Sequence, residues 1–126
     1  MKFVVCYKLV PGENSIVVKP DRSLDFTNCE WEIGQYDLRA VETAAQLTET
    51  SPENKLIALT AGSDVVENSK LKKSILARGP QEMLAVKDEA LAGADSLAVA
   101  EVLAEAIRKL GDVDAVFFGE GSGDLY

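Results

Sequence analysis

Four short apolar runs recur along the chain: KFVVCY at residues 2–7, LIALTA at 56–61, MLAV at 83–86 and DAVFF at 114–118. They constrain the fold more than any other feature. Runs of four to eight apolar, partly β-branched residues read as strands buried on both faces. Helical periodicity fills the spaces between them. Leu38, Val41, Ala45 and Thr48 recur at helical spacing with Leu47 alongside; Asp37 is the expected N-cap, and SPEN breaks the helix. A further helix lies between Ser63 and Arg78, with Ser63, Asp64 and Asn68 as competing caps. Arg78, Gly79 and Pro80 mark its end. The last helix has Asp95 or Ser96 as its cap and a stripe of Val99, Leu103, Ile107 and Leu110. Arg108 and Lys109 occupy its final turn and Gly111 stops it.

Between the first run and the first helix, residues 15–19 (SIVVK) and 24–27 (LDFT) flank Pro20-Asp21. They read as a small hairpin or an irregular excursion. The whole alternation predicts a three-layer α/β/α domain, with a parallel sheet, right-handed crossovers and helices on both faces. The first strand is expected near the centre. Ligands of such sheets bind outside the carboxyl ends of the strands, where the strand order reverses. The candidate site is therefore the loops following Tyr7, Ala61-Gly62 and Gly119.

The 126 residues suit a single domain, 1–126, and no apolar run is long enough to cross a bilayer. The opening MKFVVCYKLV reads as a first strand, not a signal peptide. A net charge of −8, from 21 acidic and 13 basic residues, argues against nucleic acid as a partner. There is no histidine, which removes imidazole general bases, Ser-His-Asp and Cys-His pairs, and HExxH zinc chemistry. Cys6 and Cys29 form no CxxC, and two lone thiols suggest a reducing, cytoplasmic setting.

Candidate motifs each carry a plain alternative. Gly119, Gly121 and Gly123 would let a phosphate or ribose approach the backbone, or would simply make a solvated turn. Residues 34–37, Gly-Gln-Tyr-Asp, would grip a nucleotide edge at a helix start, or would be an ordinary cap with a packed tyrosine. Cys6 reads as a small core residue. Lys70, Lys72, Lys73 and Arg78 read as a solvated helix face.

Taken in order, KFVVCYKLVPG, VVKPDRSLDF, GQYDLRAVETAAQL, ARGPQEMLAV, AVAEVLAEAIRKLG and DAVFFGEGSGDLY resemble the beta subunit of electron-transfer flavoproteins. GQYD, ARGP and GEGSGDLY are most similar to its Fix-type branch. The resemblance implies a Rossmann-like fold of the adenine nucleotide alpha hydrolase type and an electron carrier with no bond chemistry of its own. It implies an alpha-subunit partner sharing the redox-active FAD, and a dehydrogenase donor. It also implies an adenine nucleotide, either AMP or the ADP part of a second FAD. That pocket falls on Cys6, Gly34, Gln35, Tyr36, Asp37 and Ala61, and on a loop with Asp124, Leu125 and Tyr126.

Two departures accompany the resemblance. Many relatives have Asn-Pro where this chain has Gly34-Gln35, and relatives are roughly twice as long, as a larger α/β domain requires. The expectation is thus an amino-terminal portion, incomplete at its C-terminus and prone to self-association through uncovered sheet surface. Two rival readings are a universal-stress-type ATP-binding regulatory domain, whose glycine-loop spacing GEGSGD lacks, and a ligand-free dimerisation domain.

Overall fold

A computed structural model describes residues 1–12, 16–25 and 29–122. In chain order the strands and helices are β1 (Lys2–Cys6), β2 (Leu9–Pro11), β3 (Val17–Val18), β4 (Leu24–Asp25), β5 (Trp31–Ile33), α1 (Gln35–Thr48), β6 (Lys55–Gly62), α2 (Ser69–Leu76), β7 (Glu82–Lys87), α3 (Ser96–Leu110) and β8 (Ala115–Phe117). The four apolar runs become β1, β6, β7 and β8. These form one sheet in the order β7-β6-β1-β8, with every pairing parallel.

Each face of this sheet has its own core. Side chains alternate along a strand, so Phe3, Val5, Leu56 and Ala58 face α1 and α2, where Val41, Ala44 and Ile75 meet them. Val4, Cys6, Ile57 and Leu59 face α3, where Ala106 and the partly buried Leu103 and Ile107 cover them. Burial on both faces is why β1 and β6 are nearly continuous apolar runs. The edge strands β7 and β8, expected to be buried alike, are only partly covered, and Leu84 of β7 is exposed. The result is the three-layer, Rossmann-like α/β/α arrangement expected from the alternation, with β1 inside the sheet.

Helix boundaries differ from the expectations in two places. Asp37 does not cap α1; Gly34 holds the cap position without a side-chain bond, and Asp37 lies inside the first turn, buried. Its carboxylate is used by other segments. The region from Ser63 to Arg78 is not one helix but a 3-10 turn at Asp64–Glu67 followed by α2. Asn68 wins the competition for the cap, its side chain accepting the Leu71 N–H at 3.2 Å. Gly79 does adopt positive φ, at 128°, and a Cβ there would sit 2.8 Å from that of Ala45. Leu47, expected beside the buried stripe of α1, is instead 43% exposed.

The excursion after β1 has two parts. β3 and β4 pair antiparallel, giving the hairpin alternative, although residues 15, 26 and 27 of the expected segments lie outside those described. β2 and β5 pair antiparallel as Leu9–Ile33, Val10–Glu32 and Pro11–Trp31. That second ribbon was not foreseen. It returns the chain to the carboxyl end of β1 just before α1 begins.

Candidate functional site

The strand order locates the crevice. From β1 the chain steps to β6 and then β7, and afterwards returns to lay β8 on the far side of β1. The order reverses between β1 and β8, and their carboxyl ends open a crevice of the kind that holds ligands in α/β sheets. A cleft of about 580 Å³ lies across these ends and that of β6. Its volume falls within the usual range for small-molecule sites.

Asp37 organises the reversal point. One carboxylate oxygen accepts the Lys8 N–H at 2.7 Å, just beyond β1, and the other accepts the Gly119 N–H at 3.2 Å, just beyond β8. The Gly34 N–H in turn donates to the Lys8 carbonyl at 2.9 Å. One side chain in the first turn of α1 thereby ties together the two strands that flank the crevice. Burial pushes the Asp37 carboxyl above its ordinary range, and the two N–H groups and the Lys8 ammonium pull it part of the way back.

Gly119 has a packing reason of its own. A Cβ there would lie 2.7 Å from the Tyr36 carbonyl carbon and 2.8 Å from the Asp37 nitrogen. Only glycine lets the end of β8 come this close to the start of α1. The Lys8 ammonium extends past this contact and donates to Ser122 Oγ at 3.2 Å, holding part of the glycine loop over the end of β1.

The cleft straddles the sheet edge. On the α3 side it is lined by Cys6, Ala61 and Leu103, and closed by the turn around Gly93. On the α1/α2 side it is lined by Tyr7, Thr60, Trp31 and Val66. Lys8 and Asp37 supply the only formal charges among its described lining residues. The Cys6 thiol is pushed up to about 12, first by burial and then by the nearby Asp37 carboxylate. It is a neutral, small wall and not a nucleophile. Burial likewise pushes the Tyr7 phenol up to about 12.

Of the residues nominated from the sequence, Cys6, Asp37 and Ala61 line this one cleft. Gly34 is buried behind Asp37, Gln35 is exposed and Tyr36 is half-buried, and none of the three is part of the lining. Asp124, Leu125 and Tyr126 lie outside the described residues. Sequence reasoning missed Thr60 and Trp31. Thr60 carried a signal, as the one polar residue inside LIALTA near the carboxyl end of that strand. Trp31 carried none, because its position depends on the unforeseen β2–β5 ribbon. Among the described residues no cluster of three or more His, Cys, Asp or Glu could hold a metal ion. No described helix is long and apolar enough to cross a membrane.

Sheet order, layering and a crevice at the reversal point together define a Rossmann-like α/β domain with a cleft at the carboxyl edge of its sheet. Residues 24–124 match the family model described as Electron transfer flavoprotein domain. The chain belongs to that family, whose members are electron carriers rather than enzymes and generally bind flavin.

Proposed function

We propose that the chain acts as an electron transfer flavoprotein beta subunit of the Fix-type branch. In this reading it holds an adenine nucleotide, either AMP or the ADP part of a second FAD, in the cleft at the carboxyl edge. With an alpha subunit it positions a shared FAD between a dehydrogenase donor and an acceptor, in the cytoplasm. The observation that carries the reading is the convergence of Cys6, Asp37 and Ala61 on one mainly apolar cleft at the reversal point.

The residues present suit such a ligand. Cys6 and Ala61 offer small flat surfaces beside which a base can lie. Asp37 fixes the start of α1 against both flanking strands, so the first-turn N–H groups near Gln35 and Tyr36 keep a set orientation. Gly34 allows the close passage of this turn behind the carboxylate. Asp124, Leu125 and Tyr126 would lead into the segment that meets the phosphates. The electron transfer itself is chemistry that bound flavin supplies; the protein contributes binding, orientation and exclusion of water.

Co-expression with a candidate alpha subunit tests the proposal. A yellow complex from which adenine nucleotide is released on denaturation is the expected result. Colourless protein that binds ATP without a partner would favour the universal-stress-type reading. Neither binding nor colour would leave a dimerisation domain.

A further inference from the structure

One polar atom in the cleft wall has no partner. Thr60 is 1% exposed, and its hydroxyl is the one buried side-chain oxygen or nitrogen without a hydrogen bond among the described residues. A buried hydroxyl left unpaired is costly, and native structures rarely tolerate one without a reason. Strand geometry does not supply the reason. Valine has the same shape, favours strands as well, and would leave nothing unpaired at this position.

The surroundings point to a ligand. The parallel register pairs Cys6 with Leu59, and the Tyr7 N–H donates to the Leu59 carbonyl at 3.0 Å. Tyr7 and Thr60 are therefore next in line on the two adjacent strands, with side chains on the same face. The Tyr7 hydroxyl also makes no hydrogen bond among the described residues. The charged lining residues are already engaged, Asp37 by two N–H groups and the Lys8 ammonium by Ser122. Three neutral hydroxyls line the cleft, those of Tyr7, Thr60 and Ser63. Ser63 is partly exposed, which leaves Tyr7 and Thr60 as the buried pair, in a wall that also holds the apolar surfaces of Trp31 and Val66. Thr60 belongs to the cleft wall, and its hydroxyl can move among the staggered χ1 positions there.

We infer that the Thr60 hydroxyl, with that of Tyr7 beside it, is the specificity point of the cleft and hydrogen-bonds the edge of an uncharged nitrogen heterocycle lying across the tips of β1 and β6. The inference rests on the adenine-nucleotide reading and names the residues that would distinguish a base from a purely apolar ring. Trp31 is the only tryptophan in the chain and lines the same side of the cleft, so its fluorescence reports occupancy there.

The test titrates AMP into wild type, Thr60→Val, Thr60→Ser and Tyr7→Phe, following heat by calorimetry and Trp31 emission in parallel. Wild type should release heat and change its Trp31 emission together. Thr60→Val should bind about ten-fold more weakly, the loss of one ligand hydrogen bond. Without AMP the same variant should melt at or above the wild-type temperature, because an unpaired group has been removed. Thr60→Ser, which keeps the oxygen, should retain most of the affinity. Equal AMP affinity in wild type and Thr60→Val would overturn the inference, as would binding heat with a silent Trp31. A drop in melting temperature with unchanged affinity would assign the hydroxyl a structural role instead. If Thr60→Val does not fold, Tyr7→Phe carries the affinity comparison, and unchanged binding there overturns the inference equally. No heat with wild-type protein would remove the adenine-nucleotide reading itself, a separate and recognisable outcome.

Discussion

Asp37 shows how one carboxylate can be misread locally and still be central. In sequence it sits three residues after a glycine and just before a helical stripe, which is what an N-cap looks like. In the fold its two oxygens are taken by N–H groups 29 and 82 residues away in sequence. Both partners are donors, so the site needs two acceptors. Asparagine has one acceptor oxygen and would turn an amide N–H toward one of the two backbone N–H groups. Asp37→Asn should therefore cost about 2 kcal/mol, the range for a buried donor stripped of a charged partner. A lower urea midpoint with an unchanged slope would show this. A midpoint equal to wild type would mean that the carboxylate does not tie β1 to β8.

At the scale of elements, legibility followed length and locality. β1 and β6 were visible because burial on both faces makes them continuous apolar runs. α3 was visible because its stripe extends over four turns with a cap at one end and glycine at the other. β2 and β5 were not, since a three-residue strand carries no period and its pairing is set by partners elsewhere in the chain. The 3-10 turn before α2 was hidden by three polar residues of equal cap propensity, and packing of Val66 and Leu71 into the core decides among them. Of the nominated site residues, Ala61 is legible from the end of its strand as well as from the family resemblance. Cys6 follows from the resemblance alone, because by itself it reads as a core residue, and Thr60 is hidden as part of an apolar run. The remaining ambiguity at α3 is resolved by geometry, since the Asp95 side chain accepts the Ala98 N–H at 2.8 Å. Asp95→Ala should thus lower stability by about 1 kcal/mol, and Ser96→Ala should stay within a few tenths. Equal losses in the two variants, by chemical denaturation, would contradict this cap assignment.

For the molecule as a whole, the crevice gathers groups that the fold keeps neutral, and this shapes the response to pH. Cys6 and Tyr7 are both buried, and each is pushed up to about 12 from ordinary values of 9.0 and 10.0. An acid whose folded value is raised holds its proton more tightly in the native state than in the unfolded chain. Its stabilising effect is complete below the unfolded value and is lost as pH rises toward the folded one. Stability should therefore begin to fall near pH 9 through Cys6 and steepen above pH 10 as Tyr7 joins. Each group contributes a slope of about 1.4 kcal/mol per pH unit within its window. Cys6→Ala removes the first of these, so its stability should be flatter between pH 9 and 10, whatever the absolute cost of the lost sulfur. Cys29→Ser makes the control, because that thiol is only partly buried and lies outside the cleft. Urea unfolding at pH 8, 9, 10 and 10.5 decides the matter. If wild type and Cys6→Ala decline in parallel across pH 9 to 10, the thiol is not held neutral by the fold, and the apolar wall assigned to it in the crevice must be open to water.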